Sequence, residues 1–338
     1  MNIIVTGGCG FVGTALCLFL KKKKFKVISV DNLSKVYSKK NEYILKKNKI
    51  RNFRFNIGKF RSLENLKFKS DIIVDCSADP AVENSRLNQQ KVFESNLVST
   101  FNILKKNILD NSSLIFLSTS RVYPISESYK KYITLKRKKL TKVFNEKTNI
   151  NGIRTFYGYT KFASEMMIEE FSYSHNIKYI INRCGLISGI GQYGKVDQGL
   201  ISLWLWRHIN KIKLNYIGFS GSGKQLRDVL DIEDLCNLIF LQIKKLNKIN
   251  NETFCVGGGK NNTTNLLNLS SVCSKITGNK LRIGKIKKTS NYDIPFFVTS
   301  NKKVMSKYNW KPKKKLKEIL TEMYSWMIKE NKKIKRFF

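Results

Sequence analysis

Proline and histidine are scarce, with 4 and 2 copies in 338 residues, and the seven cysteines form no CxxC pair. His175 and His208 stand apart from one another and from any cysteine cluster, so no metal-ligand spacing exists, and an odd cysteine count argues for reduced thiols in a cytoplasm rather than a disulfide framework. No apolar run is long enough to span a bilayer. The stretch Ile3 to Leu20 contains four glycines and meets its lysines only afterwards, which is not the order of a signal peptide. A cytoplasmic protein without membrane insertion is expected.

Acidic residues are also few: 24 Asp plus Glu face 63 Lys plus Arg, a formal net charge of +39. Such an excess invites a polyanion-binding reading, because lysines that neutralise phosphates release counterions. That reading expects clustered arginines interleaved with aromatics. Only 12 of the basic residues are Arg, and the densest runs, Lys21 to Lys24, Lys136 to Lys139 and Lys313 to Lys315, are short and far apart. No specific nucleic-acid partner is expected. The 42% hydrophobic content suffices for a full core.

From Met1 to about Leu117 one phrase repeats: a short β-branched apolar run, a turn, then a helical pattern. Strands are expected at 2–6, 26–30, 53–57, 71–76 and 113–118, with helices at 12–21 and 91–109. This alternation predicts an α/β fold, a doubly wound parallel sheet with right-handed crossovers. Residues 125–155 lose all periodicity and read as a surface insertion with a short helix. A helix is expected at 157–174 and a strand at 179–183. Two domains follow, 1–183 and a smaller, partly interleaved 184–338 that includes an apolar segment at 200–209, a glycine-rich turn at 218–223 and a closing helix at 316–329.

Directly after the first strand stands Thr6-Gly7-Gly8-Cys9-Gly10-Phe11-Val12-Gly13. Glycines at 7, 10 and 13 permit a tight turn, close approach of backbone amides to a pyrophosphate, and packing of helix on strand, while the helix N-terminus carries partial positive charge. Asp31 closes the second strand, where a carboxylate accepts both ribose hydroxyls and repels a 2′-phosphate, so the expected cofactor is NAD.

Tyr157 and Lys161, four apart on one helix, leave the same face. A phenol with an ordinary pKa near ~10 is a poor base at neutral pH, and a neighbouring ammonium stabilises its phenolate. Leu117-Ser118-Thr119-Ser120 places a hydroxyl at the carboxyl edge of the sheet, where ligands of open α/β sheets bind.

These motifs, with Asp31-Asn32-Leu33, Asn96 in Asn-xxx-Thr-xxx-Leu, Val122-Tyr123, Gly194 to Gly199 and Gly221 to Leu230, resemble the extended short-chain dehydrogenase/reductases that act on nucleotide sugars. The resemblance runs over nearly the whole chain. It implies a Rossmann-type fold with a C-terminal substrate domain, an NAD cofactor, a nucleotide-diphosphate sugar as substrate and a homodimer in polysaccharide biosynthesis. It further implies that Thr119 binds the reacting hydroxyl, that Tyr157 moves its proton, and that Lys161 tunes Tyr157 and holds the nicotinamide ribose. Phe11 and Val12 would offer amides to the pyrophosphate, and Asp31 with Asn32 would hold the adenosine ribose. Asn56 and Ile57 would flank adenine, Ser77 and Ala78 would line the cofactor channel with Asn96 beneath it, and Arg227 would contact the diphosphate. The chain departs from the family pattern at Asn56, at Cys76-Ser77, at Pro124, and near Asp293, where Ser290 and Asn291 stand in place of a second phosphate-binding Arg.

The expected activity is inversion of a carbon by transient oxidation and return of hydride to the opposite face. Dehydration is disfavoured, because Ser120-Arg121 follow Thr119 where dehydratases of the family carry an Asp-Glu pair. Epimerisation at another carbon and net dehydrogenation use the same residues and stay open, as does a non-catalytic NAD-binding module, which the presence of Thr119, Tyr157 and Lys161 argues against.

Overall fold

The computed structural model describes residues 1–59, 63–80, 86–137, 143–195 and 198–338. Val196 and Asp197, part of the 194–199 motif, lie outside them. In chain order the strands are β1 (Asn2–Thr6), β2 (Lys26–Val30), β3 (Asn52–Phe53), β4 (Ile72–Asp75), β5 (Ser113–Thr119), β6 (Tyr179–Cys184), β7 (Leu186–Ser188), β8 (Asn215–Ile217), β9 (Leu226–Asp231), β10 (Glu252–Val256), β11 (Thr263–Thr264), β12 (Gly284–Ile286) and β13 (Phe296–Phe297). Among the helices are α1 (Phe11–Lys22), α2 (Ser38–Lys47), α3 (Gln89–Phe93), α4 (Ser99–Asp110), α5 (Ile125–Arg137), α6 (Phe156–His175), α7 (Leu200–Ile209), α8 (Ile232–Lys245), α9 (Leu266–Thr277), α10 (Lys302–Tyr308) and α11 (Leu316–Ile334).

Two compact units divide the chain. The first comprises Met1–Val122, Thr155–Arg183 and Cys236–Phe254. Its seven-stranded sheet runs β3-β2-β1-β4-β5-β6-β10, a Rossmann-type order that reverses direction between β1 and β4. The β1–β2, β1–β4, β2–β3 and β4–β5 pairs are parallel, in a register that sets Thr6 opposite both Val30 and Asp75. The strands are apolar throughout because both faces are covered: Ile4, Ile73, Leu114, Phe116 and Ile181 join Ile103, Leu104 and Ile168 in one buried cluster.

Two expected elements differ. The strand expected at 53–57 stops at Phe53, since Arg54 turns out to grip the Glu42 carboxylate through Nε and Nη2, at 2.8 and 2.6 Å, and Asn56 Oδ1 accepts the Gly58 N–H in a local turn. The helix expected at 91–109 is three pieces, α3 and α4 joined by a π turn over Glu94–Val98. Asn96 sits in that turn.

The second unit comprises Tyr123–Arg154, Cys184–Leu235 and Cys255–Phe338. Its small sheet runs β11-β9-β13, with β7 also pairing β9. Of the expected surface insertion at 125–155, residues 138–142 lie outside the described residues, and the rest up to Arg154 belongs to this unit. It forms α5, and Phe144, 1% exposed, stacks on Phe297 at 4.5 Å while its backbone pairs with Val298 and Ser300. Val143 and Phe144, set between Lys142 and Asn145, are too short an apolar run to signal this in the sequence. At the centre of β9, Asp228 Oδ2 accepts the Gly259 and Thr299 amides at 2.8 and 3.2 Å, and burial pushes its carboxyl up to about 6.

Candidate active site

The glycine loop is built from contacts that leave no room for side chains. Gly7 has φ +63°, and a Cβ there would lie 2.8 Å from Ser77 Cα; a Cβ on Gly13 would lie 2.1 Å from the Gly7 carbonyl oxygen. The Gly7 carbonyl in turn accepts the Gly10 N–H at 2.9 Å. Gly10 is the N-cap of α1 and supplies no side-chain cap, and no acidic residue lies in the first turn. The amides of Phe11, Val12 and Gly13 therefore have no intrahelical acceptor, and the dipole end is uncompensated, which is the donor set a pyrophosphate needs.

Asp31, directly after β2, is tied to the loop: Oδ2 accepts from the Cys9 amide at 3.1 Å and Oδ1 from the Leu33 amide at 2.7 Å. Burial raises its carboxyl above the ordinary range, and these two N–H groups oppose that rise. A carboxylate holding two donors still has acceptor capacity for vicinal ribose hydroxyls. Asn32 is exposed, its Oδ1 accepting from Ser34 N. On the far side of the loop, Ser77 donates both its hydroxyl and its amide to Asp75 Oδ1, which also receives Thr6 Oγ1 at 2.6 Å. Ala78 is half-buried beside it.

Other residues expected at the cofactor have structural duties. Ile57 is in the core cluster, and its carbonyl accepts from Asn102 Nδ2 at 2.7 Å. Asn96, 1% exposed, receives the Asp79 amide at 2.8 Å and donates to Thr160 Oγ1 at 3.0 Å, so it joins the π turn to α6 and to the chain leaving β4. A π turn at such a junction widens the helix where its side chain must reach inward.

At the carboxyl end of β5, Thr119 is 8% exposed and accepts the Arg121 amide at 3.2 Å. Helix α6 begins nearby: Thr155 caps it by accepting the Gly158 amide at 3.0 Å, and a Cβ on Gly158 would stand 2.1 Å from the Arg121 carbonyl oxygen. Only glycine lets the first turn of α6 press on the turn that leaves β5. Tyr157 and Lys161 are both on this helix, 8% and 1% exposed, and the Lys161 ammonium lies 3.7 Å from the Phe116 ring centroid. Thr119, the glycine loop and Asp31 thus stand at or just after the carboxyl ends of β5, β1 and β2 in one sheet, and α6, which bears Tyr157 and Lys161, abuts the turn that follows β5.

Two residues without an expectation from the sequence, Glu165 and Arg183, join Ser118 here. Ser118 Oγ donates to Glu165 Oε1 at 2.5 Å, and Arg183 holds Glu165 through Nε and Nη2, the latter at 2.7 Å. The visible signal was Glu165 four residues beyond Lys161, a carboxylate on the buried face of a helix. Arg227 belongs to the second unit, where its guanidinium donates to the Leu226 and Ile294 carbonyls and lies 3.7 Å from Asp293. Among the described residues no cluster could hold a metal ion and no helix is long and apolar enough to cross a membrane.

The family model described as the NAD dependent epimerase/dehydratase family matches residues 3–257. CDP-paratose 2-epimerase of Salmonella typhi is 28% identical over 340 positions, covering 96% of this chain and 99% of that protein. The structure of UDP-glucose 4-epimerase from Thermotoga maritima with UDP-glucose superposes with a TM-score of 0.83 over 98% of this chain and 100% of that one, at 24% identity. That of UDP-glucuronic acid 4-epimerase from Bacillus cereus, in complex with UDP-glucuronic acid and NAD, also gives 0.83, over 97% and 99%, at 21% identity. With a match spanning three quarters of its length, the chain belongs to the NAD-dependent epimerase/dehydratase family and is an enzyme that uses NAD.

Proposed function

We propose that the protein inverts a hydroxyl-bearing carbon of a nucleotide-diphosphate sugar, in the manner of the CDP-paratose 2-epimerase to which it is similar. The observation that supports this reading is the seating of α6, which bears the buried Tyr157 and Lys161, through Gly158 on the Arg121 backbone in the turn that follows Thr119. NAD, when bound, supplies a hydride acceptor that later becomes the donor. The amides of Phe11 and Val12, with Gly7, Gly10 and Gly13, hold its pyrophosphate; Asp31 and Asn32 hold the adenosine ribose, and Asn56 and Ile57 the adenine side. Ser77, Ala78 and Asn96 shape the channel.

Thr119 Oγ1 orients the reacting hydroxyl. Tyr157 Oη accepts its proton and returns one after the sugar has presented its other face. Lys161 favours the phenolate through its charge and holds the nicotinamide ribose. Arg227 offers a planar fork to the diphosphate. Ser120 and Arg121, which follow Thr119, supply no carboxylate pair for dehydration.

The reading also includes a homodimer. Tyr159, Met166 and Tyr173, seven apart on α6, are 56%, 57% and 95% exposed and form one apolar stripe, which light scattering of the purified protein will test. The test of function is incubation with NAD and a panel of CDP-, UDP-, GDP- and dTDP-sugars, read by product stereochemistry. Inversion of a CDP-sugar at C2 is expected, with Tyr157→Phe retaining NAD and losing nearly all turnover. A dehydrated or net-oxidised product, or wild-type rates in Tyr157→Phe, refutes the reading.

A further inference from the structure

We infer that Glu165, gripped between Ser118 and Arg183, is a positioning residue that fixes the strand end bearing Thr119 against the helix bearing Tyr157 and Lys161. The inference rests on the acid-base reading of Tyr157 given above. All three members are nearly sealed from solvent, at 5%, 1% and 8% exposure for Ser118, Glu165 and Arg183. Ser118 adjoins Thr119 on β5, Glu165 lies one turn beyond Lys161 on α6, and Arg183 is on β6, so one carboxylate ties together three elements.

Its geometry is directional. Oε1 accepts from Ser118 Oγ at 2.5 Å and from Arg183 Nε at 3.2 Å, while Oε2 accepts from Nε at 3.0 Å and Nη2 at 2.7 Å. A two-point guanidinium contact fixes the carboxylate plane, and the serine then fixes where β5 stands along it. A buried ion pair is weak as a source of net stability, since well-packed apolar residues of similar volume often serve as well. What such a pair does provide is a register. Here the register is between the two elements that carry the reacting hydroxyl's partners.

The pair also has a charge role. Lys161 and Glu169 lie one turn to either side of Glu165 on α6, with Tyr179 on β6 and Glu252 on β10 beyond Glu169; burial and then Glu165 push the Glu169 carboxyl up, and burial with Glu169, Glu252 and Glu165 pushes the Tyr179 phenol up to about 12. Arg183 balances Glu165. Eight residues of helix put Glu165 about 12 Å from Tyr157 along the axis. Unbalancing the pair at that range, with an effective dielectric near ~20, moves the Tyr157 phenol by about half to one pK unit.

Three variants test this: Ser118→Ala, which keeps the ion pair; Glu165→Asp, which keeps the charge but not the reach; and Glu165→Gln, which leaves Arg183 without its counter-charge. Each is measured for kcat, KM, NAD affinity, melting temperature and the phenolate absorbance that disappears when Tyr157→Phe is added to the same background. Ser118→Ala and Glu165→Asp are expected to lower kcat about 10-fold, with KM and NAD affinity within about 2-fold of wild type and the phenolate transition unmoved. Glu165→Gln is expected to lower kcat further and move that transition down by half to one unit. Wild-type kcat in Ser118→Ala and Glu165→Gln, or a loss that only follows the folded fraction, overturns the inference. If Glu165→Gln does not fold, Ser118→Ala decides by the same kcat criterion. Should the wild type turn over no nucleotide sugar, the proposed function falls, and the phenolate transition alone then decides: a downward shift in Glu165→Gln supports the link and an unmoved one overturns it.

Discussion

Adding one methyl group at Gly158 should separate catalysis from cofactor binding. Its Cβ would stand 2.1 Å from the Arg121 oxygen, 2.8 Å from the Arg121 carbon and 3.2 Å from Thr155 Oγ1, and two of these neighbours are backbone. Real Cβ contacts are not found under 3.0 Å, so the first turn of α6 must lift from the turn after β5. The required movement is roughly 1 Å, and a misplacement of that size costs about 10²-fold in rate. Overpacking costs about 1–3 kcal/mol, and the better helix propensity of alanine offsets about 1 kcal/mol of it. The Gly158→Ala protein should therefore melt a few degrees lower at most, keep the NAD binding that the Gly7 to Gly13 cradle provides while losing at most the share that Lys161 adds from the same helix, and lose about two decades of kcat. Stopped assays of epimer formation beside calorimetric NAD titration make the comparison. A variant within 3-fold of wild-type kcat would show that the α6–β5 contact does not set the reacting geometry.

Three other perturbations address separate parts of the molecule. Gly13→Ala would drive a Cβ to 2.1 Å from the Gly7 oxygen, so NAD affinity should fall at least about 10-fold, and an unchanged titration would refute the cradle. Arg227→Ala removes a charge-assisted contact of about 1.5–3 kcal/mol, so KM should rise about 10- to 100-fold with kcat little changed; an unchanged KM would place the diphosphate elsewhere. His208 is fully buried, its Nδ1 is 2.8 Å from the Trp204 carbonyl, and burial lowers its pKa. The unfolded chain then binds more protons, so this residue's stabilisation is complete above about pH 6.5 and is lost as pH falls below it. Asp228 and Asp231, raised to about 6, act with the opposite sign between about pH 4 and 6, so the measurement is the difference in melting temperature between wild type and His208→Leu across pH 7.5 to 5.5. A difference that does not change with pH would refute the assignment.

Local chemistry was readable and long-range pairing was not. Gly7 and Gly13 stand out because a tight strand-to-helix turn leaves no room for side chains at fixed spacings, and Tyr157 with Lys161 because a helix puts positions four apart on one face. Glu165 and Arg183 are 18 residues apart and meet only once the sheet has formed, so neither carries a signal of its own. The π turn around Asn96 follows from tertiary bonds to Asp79 and Thr160, which no window of sequence contains. Phe144 has only Val143 as an apolar neighbour in sequence, too short a run to mark a core position, and its partners, Phe296 and Phe297, lie some 150 residues on. Helix α2 carries no apolar periodicity, because its buried face is only Ser38, Asn41 and Leu45.

The arginines tell something about how this basic chain spends its cations. Lysine is used almost everywhere that a single positive charge on a flexible stem is enough, yet Arg54, Arg183 and Arg227 each engage two acceptors at once, a carboxylate's pair of oxygens or two backbone carbonyls. An ammonium is a point donor and cannot reproduce a rigid planar pair of N–H vectors. Exchange to lysine at these three positions would conserve the electrostatic sum while erasing orientation, and that makes them the places where this otherwise lysine-tolerant molecule resists its own compositional trend.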